Sequence, residues 1–403
     1  MLCWGCSTLA FLYLIFHLLQ LINKYSVNLL FQDNFNYYFL LSGHWNFWQR
    51  FDVQLGPHRE GMGLILSSVI APATRWNMKA EAIGIGVILI LAAIFCLWLK
   101  KRAFGRIDWY DLIILPCFFL SPRQYQIWCM TVNSSHGALP LLLVILYCLS
   151  WTIADRRRRD ACVLIVNFMA VFTGFGLFLG IITCVAFAVM RNKIAVSISL
   201  ATWVLFFFNY TFDPANPDFA FFDPAIVGMP HAIAIGLAHA ANIVDGPLDQ
   251  ICGYFMLAAM AVALAAHWQR FVKGNMQSVV IVSLIGFTLL FVVATVEGRI
   301  SFGEDCLTAS RYVPLIVPGF VGVYLSIATF RNSSARAVLI FIALVIAVNM
   351  SLNTRQDDLH MMDQFRAMKL AWISKYRSTG DINKADHGGF MPIYPHPQPR
   401  DIR

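Results

Sequence analysis

Long apolar stretches, many of them about 17–22 residues, alternate with short polar segments as far as residue 352. A run of this length with few charges is typical of a helix that crosses a bilayer, where backbone groups must bond within their own segment. The pattern predicts an all-α integral membrane protein with about eleven transmembrane helices. The spans are expected near 2–22, 83–99, 107–122, 136–153, 161–173, 174–190, 194–211, 250–268, 277–295, 312–330 and 336–352.

The composition supports a membrane protein. Of 403 residues, 59% are hydrophobic and 13% are charged, whereas soluble domains carry about 25% charged residues. The mean hydropathy is +0.64. Cysteine occurs mostly within the apolar runs, where it is usually a small hydrophobic residue. The net charge of +8 comes largely from short basic loops, so it gives no support to nucleic-acid binding.

Lysine and arginine collect in five short segments, and this bias predicts which loops are cytoplasmic. The segments are 100–106, 155–160, 191–193, 270–273 and 331–336. Placing them all inside predicts a cytoplasmic N-terminus, a membrane domain over 1–353 and an external tail over 354–403. The external loops are then 23–82, 212–249 and 296–311.

The apolar stretch 61–76 does not fit this count as a further span. It is short and contains Pro72 and Arg75. Counting it would also move the basic segments that follow to the outer side. We therefore predict an interfacial or re-entrant helix on the external face.

The same threading assigns most acidic residues to external loops or the tail, and none to the middle of a span. Ion-driven transporters usually keep ionisable groups near the membrane midplane. The distribution therefore counts against transport, and it predicts that the polar chemistry takes place at the external face.

Four short motifs in the predicted external segments resemble those of a known family: "QDNFNYYF", "GPHRE", "LSPRQYQIW" and "GRISFGEDCLTASRY". With the long first loop and about eleven spans, they are similar to the GT-C class of membrane glycosyltransferases. More narrowly, they resemble bacterial and phage serotype-converting glucosyltransferases that decorate O-antigen. Many relatives have an acid-His-Arg order where this chain has His58-Arg59-Glu60.

The resemblance implies a GT-C-like fold in the bacterial inner membrane, with juxtamembrane helices in the first loop and a periplasmic active site. It implies transfer of one sugar, such as glucose, from a polyprenyl-phosphate carrier to an O-antigen or other surface glycan. The expected partners are this lipid-linked donor and a lipid-linked or surface glycan acceptor.

The residue types in the external loops fit this chemistry. No nucleotide-sugar pool exists outside the inner membrane, so the donor must be carried on a lipid phosphate. An acceptor hydroxyl needs a carboxylate to take its proton, and arginine stabilises the charge on the leaving phosphate. The catalytic candidates are Asp33 and Glu60. The substrate-binding candidates are His58, Arg59, Arg123, Arg299, Arg311, Tyr312 and Tyr37.

Other interpretations of the same residues remain open. Asp33 also suits the cap of an interfacial helix, Glu60 a salt bridge to Arg59, and Arg311 an anchor at the membrane surface. No cofactor is expected. A metal ion stays open, although His231 and His239 lack a matching acid or cysteine on the same helix face. The alternative functions are an O-antigen polymerase and, less favoured, a lipid or glycan transporter.

Overall fold

The computed structural model describes residues 2–43, 46–129, 134–212, 227–244, 246–386 and 391–394. Within these ranges the regular secondary structure is almost wholly helical. The only strands described there are two residues long each, and they form one hairpin. The helices are α1 Leu2–Tyr25, α2 Asp33–Ser42, α3 Phe47–Phe51, α4 Gly61–Thr74, α5 Met78–Phe104, α6 Asp111–Phe119, α7 Gln126–Cys129, α8 Ala138–Ser150, α9 Arg156–Val171, α10 Leu177–Val189, α11 Lys193–Phe207, α12 Met229–Ala240, α13 Pro247–Val272, α14 Met276–Glu297, α15 Val313–Ile327, α16 Ser333–Leu352, α17 Gln356–Thr379 and α18 Ile382–Asp386.

Six helical stretches in the described part of the chain are long and apolar enough to cross a membrane. This confirms the all-α, membrane-embedded character, but it does not confirm eleven spans. The predicted span 107–122 is the clearest difference, because α6 has only nine residues before the chain turns at Leu120. At 1.5 Å per residue, nine residues reach about 14 Å, roughly half of a bilayer core. The six stretches are Leu2–Tyr25, Met78–Phe104, Leu248–Val272, Met276–Glu297, Ser310–Ile327 and Ser333–Thr379.

Helices α14 and α15 form the centre of the bundle. The apolar window of Ser310–Ile327 is 89% buried and that of Met276–Glu297 is 72% buried. Helix α14 packs against α10, α13 and α15, while α15 also contacts α6, α8 and α16. The short loop that joins these two central helices, 298–312, therefore emerges at the middle of one end of the bundle.

The first loop folds into compact structure at that same end. After α2 and α3, strands β1 (Gln54–Leu55) and β2 (His58–Arg59) pair antiparallel, and Gly56 adopts a φ of +57° in their turn. Helix α4 follows directly. A Cβ on Gly61, its first residue, would lie 1.8 Å from the Phe51 carbonyl oxygen, so only glycine fits there. Helix α4 covers the stretch predicted to be interfacial, and its 14 residues are about 21 Å long, too short to span a bilayer.

In the described part of the segment after Asn353, most residues are helical, in α17 and α18. Helix α17 is largely polar but buries Met362, Phe365, Met368 and Trp372, and it packs against α1 and α7. Residues 391–394 then return to the beginning of α2, where the Gln32 N–H donates to the Ile393 carbonyl at 2.9 Å.

Candidate functional site

A cavity of about 250 Å³ lies between the first loop and the loop that joins α14 to α15. It brings together six of the residues that the sequence singled out, from these two loops. Its lining is Asp33, Asn36, Leu55, Gly56, Pro57, His58, Glu60, His136, Phe175, Arg299, Arg311 and Tyr312.

Asp33 enters the cavity from the first position of α2. The N-cap of this helix is Gln32, whose side chain makes no capping hydrogen bond, so Asp33 is not the capping residue. Among the residues that the structure describes, the Asp33 carboxylate has no hydrogen bond or ion pair. It is partly exposed to the cavity, and its oxygens are open to a ligand.

Glu60, by contrast, is fully buried and held on both oxygens. The Tyr37 hydroxyl donates to Oε2 at 2.7 Å, and His136 Nε2 lies 2.7 Å from Oε1. The salt bridge to Arg59 considered from the sequence is replaced by this pair with His136. Burial lowers the pKa of His136, but the Glu60 carboxylate and its hydrogen bond outweigh burial and leave that pKa raised.

His58 also lines the cavity, with its ring centroid 4.4 Å from that of Phe175. Burial first, and then the nearby His136 and Arg299, lower the pKa of His58 to about 3, against the opposing effect of Glu60. The imidazole is therefore neutral at physiological pH, and it offers one donor and one acceptor rather than a charge.

Arg299 and Arg311 approach from the two ends of one loop. Arg299 follows the last turn of α14, and Arg311 lies in a helical turn just before α15. The guanidinium of Arg311 lies over the Tyr312 ring, 5.4 Å from its centroid. The Arg311 backbone N–H donates to Gln126 Oε1 at 3.2 Å, which fixes the loop against α7. The cavity thus combines two carboxylates with two guanidinium groups.

Arg59 is adjacent to both His58 and Glu60 in sequence, but it points away from the cavity. It is 2% exposed, and its Nη1 lies 2.8 Å from Asp52 Oδ1. Its other donors bind the Asp52, Phe206 and Phe208 carbonyls. Successive residues of a strand face opposite sides, so His58 faces the cavity while Arg59 anchors the hairpin to the end of α11.

Arg123 also lies elsewhere. It is 3% exposed, and its Nη1 is 2.6 Å from Asp358 Oδ2 on α17. Its Nη2 is 2.6 Å from His239 Nδ1 on α12. The "LSPRQYQIW" turn therefore contributes Arg123 to the packing of α12 and α17, and it supports the cavity through Gln126.

Two important cavity residues, His136 and Phe175, were not singled out by the sequence. His136 was assigned to the beginning of a predicted span, and Phe175 to the "TGFG" connection between α9 and α10. The Gly174 N–H donates to the Ser135 carbonyl at 3.2 Å, and a Cβ on Gly174 would lie 2.9 Å from that oxygen. The two glycines in this short connection indicated a close backbone contact. The sequence did not show that the contacting segment is the one that contains Ser135.

In the described part of the chain, no three His, Cys, Asp or Glu side chains are grouped so that they could hold a metal ion. His231 lies 3.3 Å from Glu304 Oε2, and His239 contacts Arg123. Of the acidic residues and histidines that line the cavity, Glu60 and His136 are paired with each other.

Comparison with known protein families and with curated proteins gives no match for this chain. The functional argument therefore rests on the cavity itself.

Proposed function

We propose that the chain is a GT-C-type membrane glycosyltransferase that moves one hexose, such as glucose, from a polyprenyl-phosphate carrier to a surface glycan. The observation that supports it best is one cavity that holds an open carboxylate, Asp33, together with two arginines, Arg299 and Arg311. The proposal includes about eleven membrane segments, some of them short, and a periplasmic position for the cavity.

The two arginines would bind the phosphate of the donor. They lie just beyond α14 and just before α15, so in this proposal their guanidinium groups would be at the depth where a lipid phosphate meets the membrane surface. As the bond between the sugar and the phosphate breaks, negative charge grows on the phosphate oxygens. Planar guanidinium groups stabilise such charge through paired hydrogen bonds.

Asp33 would act as the general base. The acceptor hydroxyl oxygen attacks the anomeric carbon, its proton passes to the Asp33 carboxylate, and the polyprenyl phosphate leaves with the bonding electrons. Glu60 is less suited to this role, because Tyr37 and His136 already occupy both of its oxygens. Its function would be to fix His136 and the cavity wall, while neutral His58 and Asn36 offer hydrogen bonds to sugar hydroxyls.

The size of the cavity agrees with a small polar substrate. At about 250 Å³ it is smaller than the roughly 300–1,000 Å³ typical of pockets for drug-sized ligands. One sugar with its phosphate suits this space, and the lipid tail and the rest of the acceptor would lie outside it.

The proposal is tested by Asp33→Asn in cells that carry the surface glycan. Loss of a positioned base typically costs about 10²–10⁴-fold in rate, so the added hexose should nearly disappear from the glycan repeat, as measured by mass spectrometry. Asp363→Asn, an exposed carboxylate on α17, is the matched control and should retain full transfer. Normal hexose addition by Asp33→Asn at normal protein levels would remove Asp33 from the reaction.

The same glycan distinguishes the alternative function. A polymerase joins repeat units, so its loss shortens the glycan. A transferase leaves the length unchanged and removes a branch. Short chains in the Asp33→Asn strain would therefore favour an O-antigen polymerase over the proposed transferase.

A further inference from the structure

Residues 391–394 lie directly against the segment that presents Asp33. The Gln32 N–H donates to the Ile393 carbonyl at 2.9 Å, and Gln32 Nε2 lies 3.4 Å from the Pro392 carbonyl. On the other side of Asp33, the Phe35 ring meets the Tyr394 ring edge-on at 4.8 Å between centroids. We call residues 391–394 the clip.

The clip is itself held by one carboxylate oxygen. Asp386 Oδ1 accepts from Trp372 Nε1 at 2.7 Å and from the Ile393 N–H at 3.1 Å. The Ile393 residue thus connects Asp386 to Gln32, with its N–H bound to one and its carbonyl to the other. Ile393 is 1% exposed, so these hydrogen bonds are protected from water.

Helix α17, which carries Trp372, is anchored beside the same wall of the site. Lys369 Nζ donates to the Cys129 carbonyl at 2.8 Å and lies 4.8 Å from the centroid of the Phe31 ring. Phe365 meets that ring edge-on at 6.4 Å. Contacts from the C-terminal region therefore reach Phe31, Gln32 and Phe35, on both sides of Asp33.

The backbone at Gln32 explains why such a support is needed. Gln32 has a φ of 43° and a ψ of −111°, a conformation that residues other than glycine rarely adopt and that persists where surrounding structure enforces it. The side chain of Gln32 does not cap α2. Its backbone N–H is instead directed to the clip, so the clip holds the residue that sets the direction of α2.

We propose that the clip is a positioning element that holds the Asp33 carboxylate in place in the cavity. The inference rests on the proposed role of Asp33 as the base. A displacement of about 1 Å in a reacting group costs up to about 100-fold in rate, so loosening Gln32 should slow the chemical step. Among the described residues, no hydrogen bond, ion pair or ring contact is seen between Arg299 or Arg311 and the clip, so donor affinity should change little.

Two pairs of variants in the full chain test this. Asp386→Ala removes the oxygen that accepts both hydrogen bonds, whereas Asp386→Asn keeps an acceptor oxygen. Tyr394→Ala removes the ring that contacts Phe35, whereas Tyr394→Phe keeps it. The matched control is Lys384→Ala, an exposed side chain on the same short helix as Asp386.

The first measurement is transfer by membranes that contain each variant, with polyprenyl-phosphate glucose radiolabelled in the sugar as donor and extracted lipid-linked glycan as acceptor. The two alanine variants should lose about 10- to 100-fold in kcat with an unchanged KM for the donor. The conservative variants and the control should remain close to the unmodified protein. If the alanine variants kept full kcat while Asp33→Asn was inactive, the positioning role of the clip would be refuted. The proposed function would remain intact.

The second measurement does not depend on the donor. Hydrogen exchange of the α2 amides should be faster in Asp386→Ala than in Asp386→Asn, while exchange in α4 should be unchanged. Equal exchange of α2 in both variants would overturn the proposal even if the chain proved to use another donor. Normal transfer by Asp33→Asn would refute the role of Asp33 as base, and with it the role of the clip in positioning that base. Hydrogen exchange would then report only whether the clip stabilises α2.

Discussion

Replacing Arg59 with lysine provides a sharp test of the site assignment, because this arginine lies between two cavity residues in sequence but outside the cavity in space. Its guanidinium contacts Asp52 Oδ1 at 2.8 Å and the Phe206 carbonyl at 3.0 Å, together with the Asp52 and Phe208 carbonyls. We expect Arg59→Lys to destabilise the protein rather than to remove a substrate contact.

The magnitude follows from the number of contacts that lysine cannot make. A single ammonium group can keep the ion pair with Asp52, but it cannot also reach both carbonyls of the α11 end. A hydrogen bond to a charged group contributes about 1.5–3 kcal/mol. Two lost bonds therefore cost about 3–6 kcal/mol, which is large against the roughly 5–15 kcal/mol that stabilises a typical fold.

The assay is heating of detergent-solubilised protein followed by size-exclusion chromatography of the material that stays folded. Arg59→Lys should lower the midpoint temperature of thermal unfolding by several degrees. The protein that remains folded should still transfer sugar. Arg157→Lys, on the exposed first turn of α9, is the control and should match the unmodified protein. A normal midpoint combined with loss of transfer would refute this reasoning and return Arg59 to the substrate site.

Three further predictions follow from the cavity and from the threading. Arg311→Lys should keep partial transfer and Arg311→Ala almost none, because lysine retains the positive charge but not the planar guanidinium group. In both variants the donor KM should rise more than the acceptor KM. His136→Asn should lower the thermal midpoint most below pH 6.5. The raised pKa of His136 means that its ion pair with Glu60 stabilises the fold when His136 is protonated, and that this contribution is lost as the pH rises through that pKa. An alkaline phosphatase fusion after Asn353 should be active and one at Arg157 silent, because basic loops face the cytoplasm.

Each of these has a clear contrary result. Poor membrane insertion of Arg311→Ala with unchanged donor affinity would make Arg311 a surface anchor. A midpoint difference for His136→Asn that grows towards alkaline pH would mean that the ion pair is not what His136 contributes. Activity at Arg157 with silence after Asn353 would reverse the threading.

The positions of the helices were largely predictable, because burial in lipid or in the bundle selects long apolar runs whatever the tertiary contacts. The expected span 277–295 corresponds to Met276–Glu297, and 336–352 to Ser333–Leu352. The count of spans was less predictable. The run around α6 is apolar because most of it is packed inside the bundle, and composition alone does not distinguish such a helix from one that crosses a membrane.

The lining of the cavity could be predicted from the sequence in part, for Asp33, Arg299 and Arg311, but the pairing of its side chains could not. Asp33, Arg299 and Arg311 could be brought together by reasoning about one reaction at one face. The pairing of Glu60 with His136 links residues on separate segments, and no local pattern in the sequence reports it. Arg59 is excluded from the cavity because successive side chains of β2 point to opposite sides. This strand has only two residues, so it is too short to be recognised in the sequence.

The contact between Gln32 and residues 392 and 393 joins parts of the chain that are 360 residues apart. A ribosome adds about 5–20 residues per second, so roughly 20–70 s pass between the synthesis of the two partners. Once Tyr312 has been added, late in that interval, the nascent chain contains every side chain that lines the cavity. It lacks only the segment that holds α2 in place, so completion of this site is a late step in the biogenesis of the protein.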